Sequence, residues 1–242
     1  MSPLQTALSI THIDTACAIL SLDDLGISFL TDPVFCPTGT QWDMGIAVLT
    51  KPTSPALSVA ELPPIDAVLL SHEDHPDNLD EAGRVLLDAR RVLTTPDGAR
   101  RLAPRPGVRG LQPWEKVDLT IGGTTFAVTG TPCVHLPGGE VTGFVITAEE
   151  FGQDGGGKPN AIYFSGDTVY LPEVAARLRE EFHVAVAVLN IGRAEASIPG
   201  EARPRQITLG GKEAARLFRE IGADLLVPIH YEDWGHFSEK GD

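Results

Sequence analysis

The stretch IDAVLLSHEDHPDNLD (65–80) combines two patterns that together decide how the chain is organised. Its first half, IDAVLLS (65–71), is an apolar run too short for a typical helix, which suits a buried strand. Its second half, SHEDHPDNLD (71–80), places two histidines and several acidic residues directly after that run. Because α/β folds place functional sites where strands end in loops, the stretch predicts a buried strand with a site at its end.

The residue types in SHEDHPDNLD (71–80) are those that a zinc-like divalent ion takes as ligands, because imidazole and carboxylate donors suit such ions. The alternative interpretation is a polar loop followed by the start of a helix. In that interpretation Asp77 or Asn78 caps a helix over 79–90. The acidic residues in the first turn of that helix stabilise its positive end. The alternative explains the carboxylates but not the two histidines, and this stretch alone leaves both open.

Three further segments each place a metal-type side chain just after an apolar run. Taken alone, each has an ordinary interpretation: a surface histidine, an Asx turn, or a structural histidine at a strand edge. Four successive strand ends that each carry such a side chain are poorly explained by chance, so together they predict a metal site. The three segments are TGTPCVHLPGG (129–139) with His135, YFSGDTVYL (163–171) with Asp167, and VPIHYEDWGHF (227–237) with His230 and His236.

The rest of the chain predicts strands interspersed with helices in both halves. Alternating apolar residues predict short strands near the N-terminus and a hairpin over 117–130, which has a Gly-Gly pair at its centre. Helical spacing predicts helices over 79–90, 171–182 and 211–222, the last with Gly222 in the C′ position. Periodicity alone does not separate a β-sandwich with outer helices from a doubly wound sheet.

Composition describes a globular chain with a strongly acidic balance. Of the 242 residues, 42% are hydrophobic and 21% are charged, which suits a packed core, and no linker divides residues 1–242 into two predicted domains. The formal net charge of -14 repels phosphate backbones, so we expect no nucleic-acid partner. We expect no membrane partner, because no apolar run approaches the roughly 20 residues of a membrane helix. Three cysteines and no secretion signal predict a cytoplasmic protein.

In their order, these segments resemble the metallo-β-lactamase superfamily, and within it the L-ascorbate-6-phosphate lactonase-like hydrolases. LTDPVF (30–35) is similar to an early strand and turn of that branch, and SHEDHPDNLD (71–80) stands where the family carries its His-x-His-x-Asp-His loop. The resemblance covers nearly the whole chain and implies an α/β fold, the four-layer αβ/βα sandwich, with metals at one edge between two sheets. It implies six metal ligands: His72, His75, Asp77, His135, Asp167 and His230.

Two departures from the family pattern bear on the metal site. The loop reads His-x-x-His-x-Asp-Asn, so one residue is inserted between the first two ligands, and Asp74 competes with His75 for the second place. Asn78 stands where the third loop histidine of the family binds a second metal, and an amide is a poor zinc ligand beside imidazole. We therefore expect a stronger site at His72, His75 and His135, and a second site that is weak, filled by a harder metal, or empty. The expected ions are one or two Zn²⁺, with Mn²⁺ as an alternative.

The resemblance implies hydrolysis by a metal-bound hydroxide, because a bound metal lowers the pKa of water to roughly 7. We expect a small-molecule substrate with an ester or amide bond, with a lactone first and a lactam next. A small-molecule phosphodiesterase and a non-catalytic metal-binding domain with a decayed second site are the alternatives. Asp77 is expected to orient the water and accept its proton, and Tyr231 or His236 to stabilise the oxyanion or protonate the leaving group.

Two further features of the chain complete the expectations. The segment 37–64 is rich in Pro, Thr and Gly and is predicted to be a long surface loop that shapes substrate choice. The chain also ends soon after His236, where relatives of this branch often continue, and a missing C-terminal segment is one explanation.

Overall fold

Within the part of the chain that the structure describes, the strands fall into two six-stranded sheets and two short hairpins. The structure is a computed structural model that describes residues 4–43, 48–136, 139–198 and 200–241. In chain order the strands are β1 (Leu8–Asp14), β2 (Cys17–Leu22), β3 (Ile27–Thr31), β4 (Gln41–Asp43), β5 (Val48–Thr50), β6 (Ala67–Leu69), β7 (Arg91–Thr94), β8 (Val108–Gly110), β9 (Lys116–Ile121), β10 (Thr124–Pro132), β11 (Thr142–Ala148), β12 (Asn160–Phe164), β13 (His183–Asn190), β14 (Glu195–Ala196), β15 (Arg205–Gln206) and β16 (Leu225–Ile229).

Among the described residues, four helices accompany the strands. They are α1 (Glu81–Leu86), α2 (Pro96–Arg101), α3 (Pro172–Glu181) and α4 (Gly211–Ile221). Within the described ranges, none of the helices has the length and hydropathy needed to span a membrane.

The strand directions bring several strand ends to one edge of the molecule. The first sheet has the order β1-β2-β3-β6-β7-β8, antiparallel over its first three strands and parallel from β3 onward. The second has the order β16-β13-β12-β11-β10-β9, in which β12, β13 and β16 run parallel. Because β10 and β12 are both antiparallel to β11, they run in the same direction as each other. The carboxyl ends of β10, β12, β13 and β16 therefore lie at the same edge of the second sheet.

Buried side chains divide the molecule into four layers. Alternate residues of each strand face either the other sheet or the helices, as the two-residue period of a strand requires. Helices α1 and α2 lie on the outer face of the first sheet, and α3 and α4 on that of the second. The predicted four-layer αβ/βα sandwich is therefore confirmed. The core between the sheets includes Leu20, Leu22, Phe29 and Leu69 from the first sheet and Phe126, Phe144, Ile146, Phe164 and Val188 from the second.

Local predictions were confirmed where a turn requires a particular backbone. The predicted hairpin is β9–β10, and its two central residues, Gly122 and Gly123, have φ of 58° and 92°. Such positive values at both positions favour glycine and suit a tight hairpin turn. Helix α4 ends at Gly222, which has the left-handed φ of 68° that the C′ prediction required.

The predicted helix over 79–90 is shorter in the structure, and its cap differs from the alternatives considered. Asp80 is the N-cap, and its carboxylate accepts a hydrogen bond of 2.8 Å from the backbone N–H of Gly83. The interpretation in which Asp77 or Asn78 caps the helix is therefore wrong. The helix ends at Leu86 because Ala89 takes a left-handed φ of 60°, which a helix cannot continue through.

The segment predicted to be a long loop, 37–64, contains local structure. It holds the hairpin β4–β5 and a 3₁₀ turn at Val59–Glu61, and its residues 44–47 lie outside the described ranges. Lys51 follows β5 and is only 1% exposed. Its ammonium lies 2.6 Å from a carboxylate oxygen of Asp14, which fastens the segment to the end of β1.

Candidate metal centre

Three histidines meet at the edge where the strands end. His72 and His75 follow β6, and His135 follows β10. His75 Nδ1 lies 2.9 Å from His72 Nε2 and 3.3 Å from His135 Nε2. The three ligand atoms all fall within 4.8 Å of one another, which is compact enough for a single ion to contact all three.

Asp167 lies between this histidine cluster and a second group of side chains. Its Oδ2 is 3.9 Å from both His72 Nε2 and His135 Nε2. The same oxygen is 3.4 Å from His230 Nε2. A carboxylate in this position suits the bridging role expected for Asp167, and this assignment stays a prediction.

The second group consists of Asp77, His230 and His236, the last of which was expected from the sequence to be a catalytic residue. Asp77 Oδ2 lies 3.8 Å from His230 Nε2 and 3.6 Å from His236 Nε2. His236 therefore stands beside the predicted ligands, although its expected role was oxyanion stabilisation or proton donation. That catalytic role stays a prediction. The position of His236 beside Asp77 also suits a metal ligand.

Within the loop after β6, the structure distinguishes the competing residues. His75 faces the other histidines, whereas Asp74 is exposed and lies beside Gly139. His75 is therefore the better candidate for the second loop ligand. Asn78 is fully buried, and its amide nitrogen donates a hydrogen bond of 3.0 Å to Asp32.

Hydrogen bonds to residues outside the cluster fix the orientation of the predicted ligands. His135 Nδ1 donates to the carbonyl oxygen of Ile207 at 2.7 Å, which leaves the lone pair of Nε2 facing the cluster. Asn190 Nδ2 donates to Asp167 Oδ1 at 2.7 Å and leaves Oδ2 free for the centre. Such outer partners hold ligands in place and raise metal affinity. The sequence analysis missed Asn190, whose only local signal is a polar residue closing the apolar strand β13.

His72 is held through a chain that ends in a buried carboxylate. Ser71 Oγ lies 2.8 Å from His72 Nδ1 and donates to Asp32 Oδ2 at 2.7 Å. Burial raises the pKa of Asp32 to about 7, against the hydrogen bonds from Ser71 and Asn78 that lower it. Asp32 lies within LTDPVF (30–35), but its sequence context predicts no role for it, and its left-handed φ of 27° is visible only in the structure.

The electrostatics of the centre favour a bound cation. Burial lowers the pKa of both His72 and His135, so these imidazoles are neutral and offer lone pairs. Burial also acts to lower the pKa of His230, but Asp167 and Asp77 raise it to about 9. Burial acts to raise the pKa of Asp77, yet His230 and His236 hold it well below its usual range. Positive charge is therefore drawn to the space between these carboxylates.

The residues present fit a divalent metal. His230 Nε2 is buried and has no hydrogen-bond partner among the described residues, although it faces two carboxylates. Leaving a buried polar atom unpaired costs roughly 1–3 kcal/mol, so an orphan of this kind indicates a missing partner. Imidazole and carboxylate donors in this proportion suit zinc or manganese.

Tyr231 is the one predicted catalytic residue that the structure places elsewhere. It lines a separate cleft with His12 and Asp233, and it does not line the cavity over the metal ligands. The physical reason is the backbone of His230, whose left-handed φ of 62° turns the chain so that successive side chains face different clefts. The expected oxyanion role of Tyr231 therefore finds no support in its position.

A cavity of about 240 Å³ opens over the centre. Its floor is formed by predicted metal ligands and by His236, and its walls are mainly apolar. The lining includes the floor residues His75, Asp77, His135, Asp167, His230 and His236, the apolar residues Leu49, Leu136, Ala194, Ala196 and Ile207, and the polar residues Glu195, Ser197 and Thr208.

Comparison with known proteins identifies the family. The sequence profile described as a beta-lactamase superfamily domain matches residues 28–231. The chain belongs to this superfamily. A UPF0173 metal-dependent hydrolase from Methanoregula boonei is 30% identical over 201 residues, which cover 77% of this chain and 75% of the relative. A second, from Methanoculleus marisnigri, is 28% identical over 199 residues, covering 76% of this chain and 73% of that protein.

Solved structures agree on the metallo-β-lactamase fold. The crystal structure of an isothiocyanate hydrolase from Delia radicum gut bacteria matches with a TM-score of 0.73 and 22% identity, covering 96% of this chain and 88% of that one. A possible metal-dependent hydrolase from Veillonella parvula matches with a TM-score of 0.72 and 19% identity, covering 97% and 89%. This member of the superfamily is thus a metal-dependent hydrolase. The lactonase-like branch and the identity of the metal stay predictions.

Proposed function

We propose that this metallo-β-lactamase-fold protein hydrolyses an ester or amide bond of an uncharged small molecule, with a lactone first and a lactam next. The observation that carries the proposal is the apolar cavity over the metal centre. Its volume of about 240 Å³ lies below the roughly 300–1,000 Å³ of pockets for drug-sized ligands. Walls that include Leu49, Leu136 and Ile207 favour a compact substrate with apolar surface.

The charge of the cavity argues against the phosphodiester alternative. Asp77, Asp167 and Glu195 contribute carboxylates to the lining, and none of its described residues is Lys or Arg. Phosphate groups are usually recognised by arginine, lysine or helix N-termini. The net charge of -14 also opposes approach of a nucleic acid.

In the proposed mechanism, the side chains of the centre hold and orient the reactants. His72, His75 and His135 would hold one ion, and the carboxylate of Asp167 would be shared with a second position. A bound divalent ion, Zn²⁺ or alternatively Mn²⁺, would supply Lewis acidity, which makes water a better nucleophile at neutral pH and polarises a carbonyl. Asp77 accepts a hydrogen bond from the water and orients it. Because its pKa is held so low, Asp77 is better suited to orientation than to keeping the proton.

The test is a hydrolysis panel run with metal-free and reloaded protein. The panel contains lactones, lactams, matched phosphodiesters and an isothiocyanate, the last because the solved structure from Delia radicum gut bacteria is named for that activity. We expect lactone hydrolysis that EDTA removes and Zn²⁺ or Mn²⁺ restores. His135→Ala is expected to abolish it, because the side chain lies within the histidine cluster.

Four results would overturn the proposal. Full turnover by rigorously metal-free protein would exclude a role for the metal in hydrolysis. Preferred hydrolysis of the phosphodiesters would overturn the substrate class, as would preferred hydrolysis of the isothiocyanate. Metal binding without turnover of any panel compound would favour the non-catalytic alternative.

A further inference from the structure

We infer that His236 is the imidazole ligand of a second metal ion, in the place that Asn78 leaves without a histidine. Asp77, His230 and the shared carboxylate of Asp167 complete this second site. The centre then holds two ions despite the asparagine. The second site is no longer the weak or empty one that the sequence led us to expect. The inference rests on the proposed metal-dependent function, but it concerns ligand identity and makes no claim about the substrate.

The side-chain amide of Asn78 is engaged in a hydrogen bond to Asp32. Its amide nitrogen donates to Asp32 at 3.0 Å, and Asp32 also accepts from the backbone N–H and the hydroxyl of Ser71. Through Ser71 this carboxylate supports His72. Asn78 thus belongs to the hydrogen bonds behind the ligands. Only its amide oxygen, which has no partner among the described residues, is left to compete for a metal.

The distances among His236, Asp77, His230 and Asp167 are close to those of a tetrahedral site. For metal–ligand bonds of about 2.0–2.2 Å, tetrahedral geometry places ligand atoms about 3.3–3.6 Å apart. His236 Nε2 lies 3.6 Å from Asp77 Oδ2, and His230 Nε2 lies 3.8 Å from the same oxygen and 3.4 Å from Asp167 Oδ2. These separations are slightly too long for hydrogen bonds, and they suit donors that converge on one ion.

Buried neighbours on both sides position His236. Trp234 is fully buried and Phe237 nearly so, in a cluster with Leu49, Ala194 and Ile207. The ring of Phe237 contacts both His230 and His236, with ring centroids 4.7 and 4.2 Å apart. A backbone hydrogen bond of 2.9 Å from Gly235 to the carbonyl of Thr50 ties the same segment to β5.

This anchoring supports a ligand role. Preorganised side chains lose little entropy on binding an ion. The side chain of His236 is 17% exposed, which keeps one edge of the ring at the cavity where an ion enters.

The experiment measures metal stoichiometry and affinity independently of activity. Metal-free protein is titrated with Zn²⁺ against a chromophoric chelator, and bound metal after dialysis is counted by mass spectrometry. The variants are His236→Ala, the less disruptive His236→Gln, and Asn78→Ala. His183→Gln is the matched control, since His183 pairs with Asp224 away from the centre. Far-UV circular dichroism verifies that each variant is folded.

For wild type we expect about two equivalents, as in two-metal hydrolases. Asn78→Ala is expected to keep both, with a weaker tight equivalent, because Asn78 supports His72 through Asp32 and Ser71. Both His236 variants are expected to keep one tight equivalent, with affinity for the second reduced roughly 10–100-fold or more, since even outer-shell changes cost that much. The inference fails if a folded His236 variant binds the second equivalent as tightly as wild type. It also fails if Asn78→Ala loses that equivalent, or if wild type binds only one. Two equivalents without lactone hydrolysis would instead overturn the proposed substrate and leave this inference standing.

Discussion

The buried pair of Lys51 and Asp14 permits a sharp test of how this fold is held together. Both side chains are fully shielded from solvent, and the ammonium lies 2.7 and 2.6 Å from the two carboxylate oxygens. The ammonium also lies 5.7 Å from the ring centroid of Trp234, so the pair underlies the segment that carries His236. Lys51→Met keeps the apolar stem but leaves the Asp14 carboxylate buried, with Thr15 as its remaining side-chain partner.

Removing one partner of a buried ion pair costs about 3–5 kcal/mol, because the other charge is left uncompensated. For a chain of this length each kcal/mol lowers Tm by roughly 2–4 °C, so Lys51→Met is expected to lower Tm by roughly 6–20 °C. The double variant Asp14→Leu with Lys51→Met removes both charges and is expected to recover most of that loss. Calorimetry and urea unfolding at matched metal loading measure the changes.

An exposed ion pair serves as the control. Arg216 and Glu220 are 56% and 40% exposed and lie one turn apart on α4, so Arg216→Ala is expected to lower Tm far less than Lys51→Met does. The reasoning is refuted if Lys51→Met costs no more than this surface change. It is equally refuted if the double variant is as unstable as the single one, since the uncompensated charge would then not be the cause.

Two further predictions concern the residues behind the ligands. Asn190→Leu removes the donor that orients Asp167, and metal affinity should fall roughly 10–100-fold with little change in fold; an unchanged titration against a chelator would contradict this. Gly192→Ala would place its Cβ 2.6 Å from the carbonyl oxygen of His230, so we expect a loss of more than about 1–3 kcal/mol from strain and clash together. Gly200→Ala shares the positive φ but meets nothing within 4 Å, and should cost less in the same unfolding assay; equal losses would rule out the clash.

Local patterns were sufficient for the elements whose signal is local. The β9–β10 hairpin and the end of α4 at Gly222 followed from residues that favour positive φ, and both were confirmed. The helix over 79–90 was predicted too long, because apolar spacing does not reveal the left-handed turn at Ala89. The two small hairpins, β4–β5 and β14–β15, were missed, since strands of two or three residues carry no periodicity.

For the metal centre, the sequence by itself determined which side chains end four strands, and the parallel strand directions then brought those ends to one edge. The tertiary structure alone decided which of the nearby side chains lie at the centre and which face another cleft or make another contact. It turned Tyr231 into another cleft, committed Asn78 to Asp32, and placed His236 beside Asp77. These outcomes depend on the packing of Trp234 and Phe237 against distant elements and on one left-handed residue, His230. A one-dimensional pattern records residue types and spacing, but distances between residues far apart in the chain are set only when the two sheets pack together.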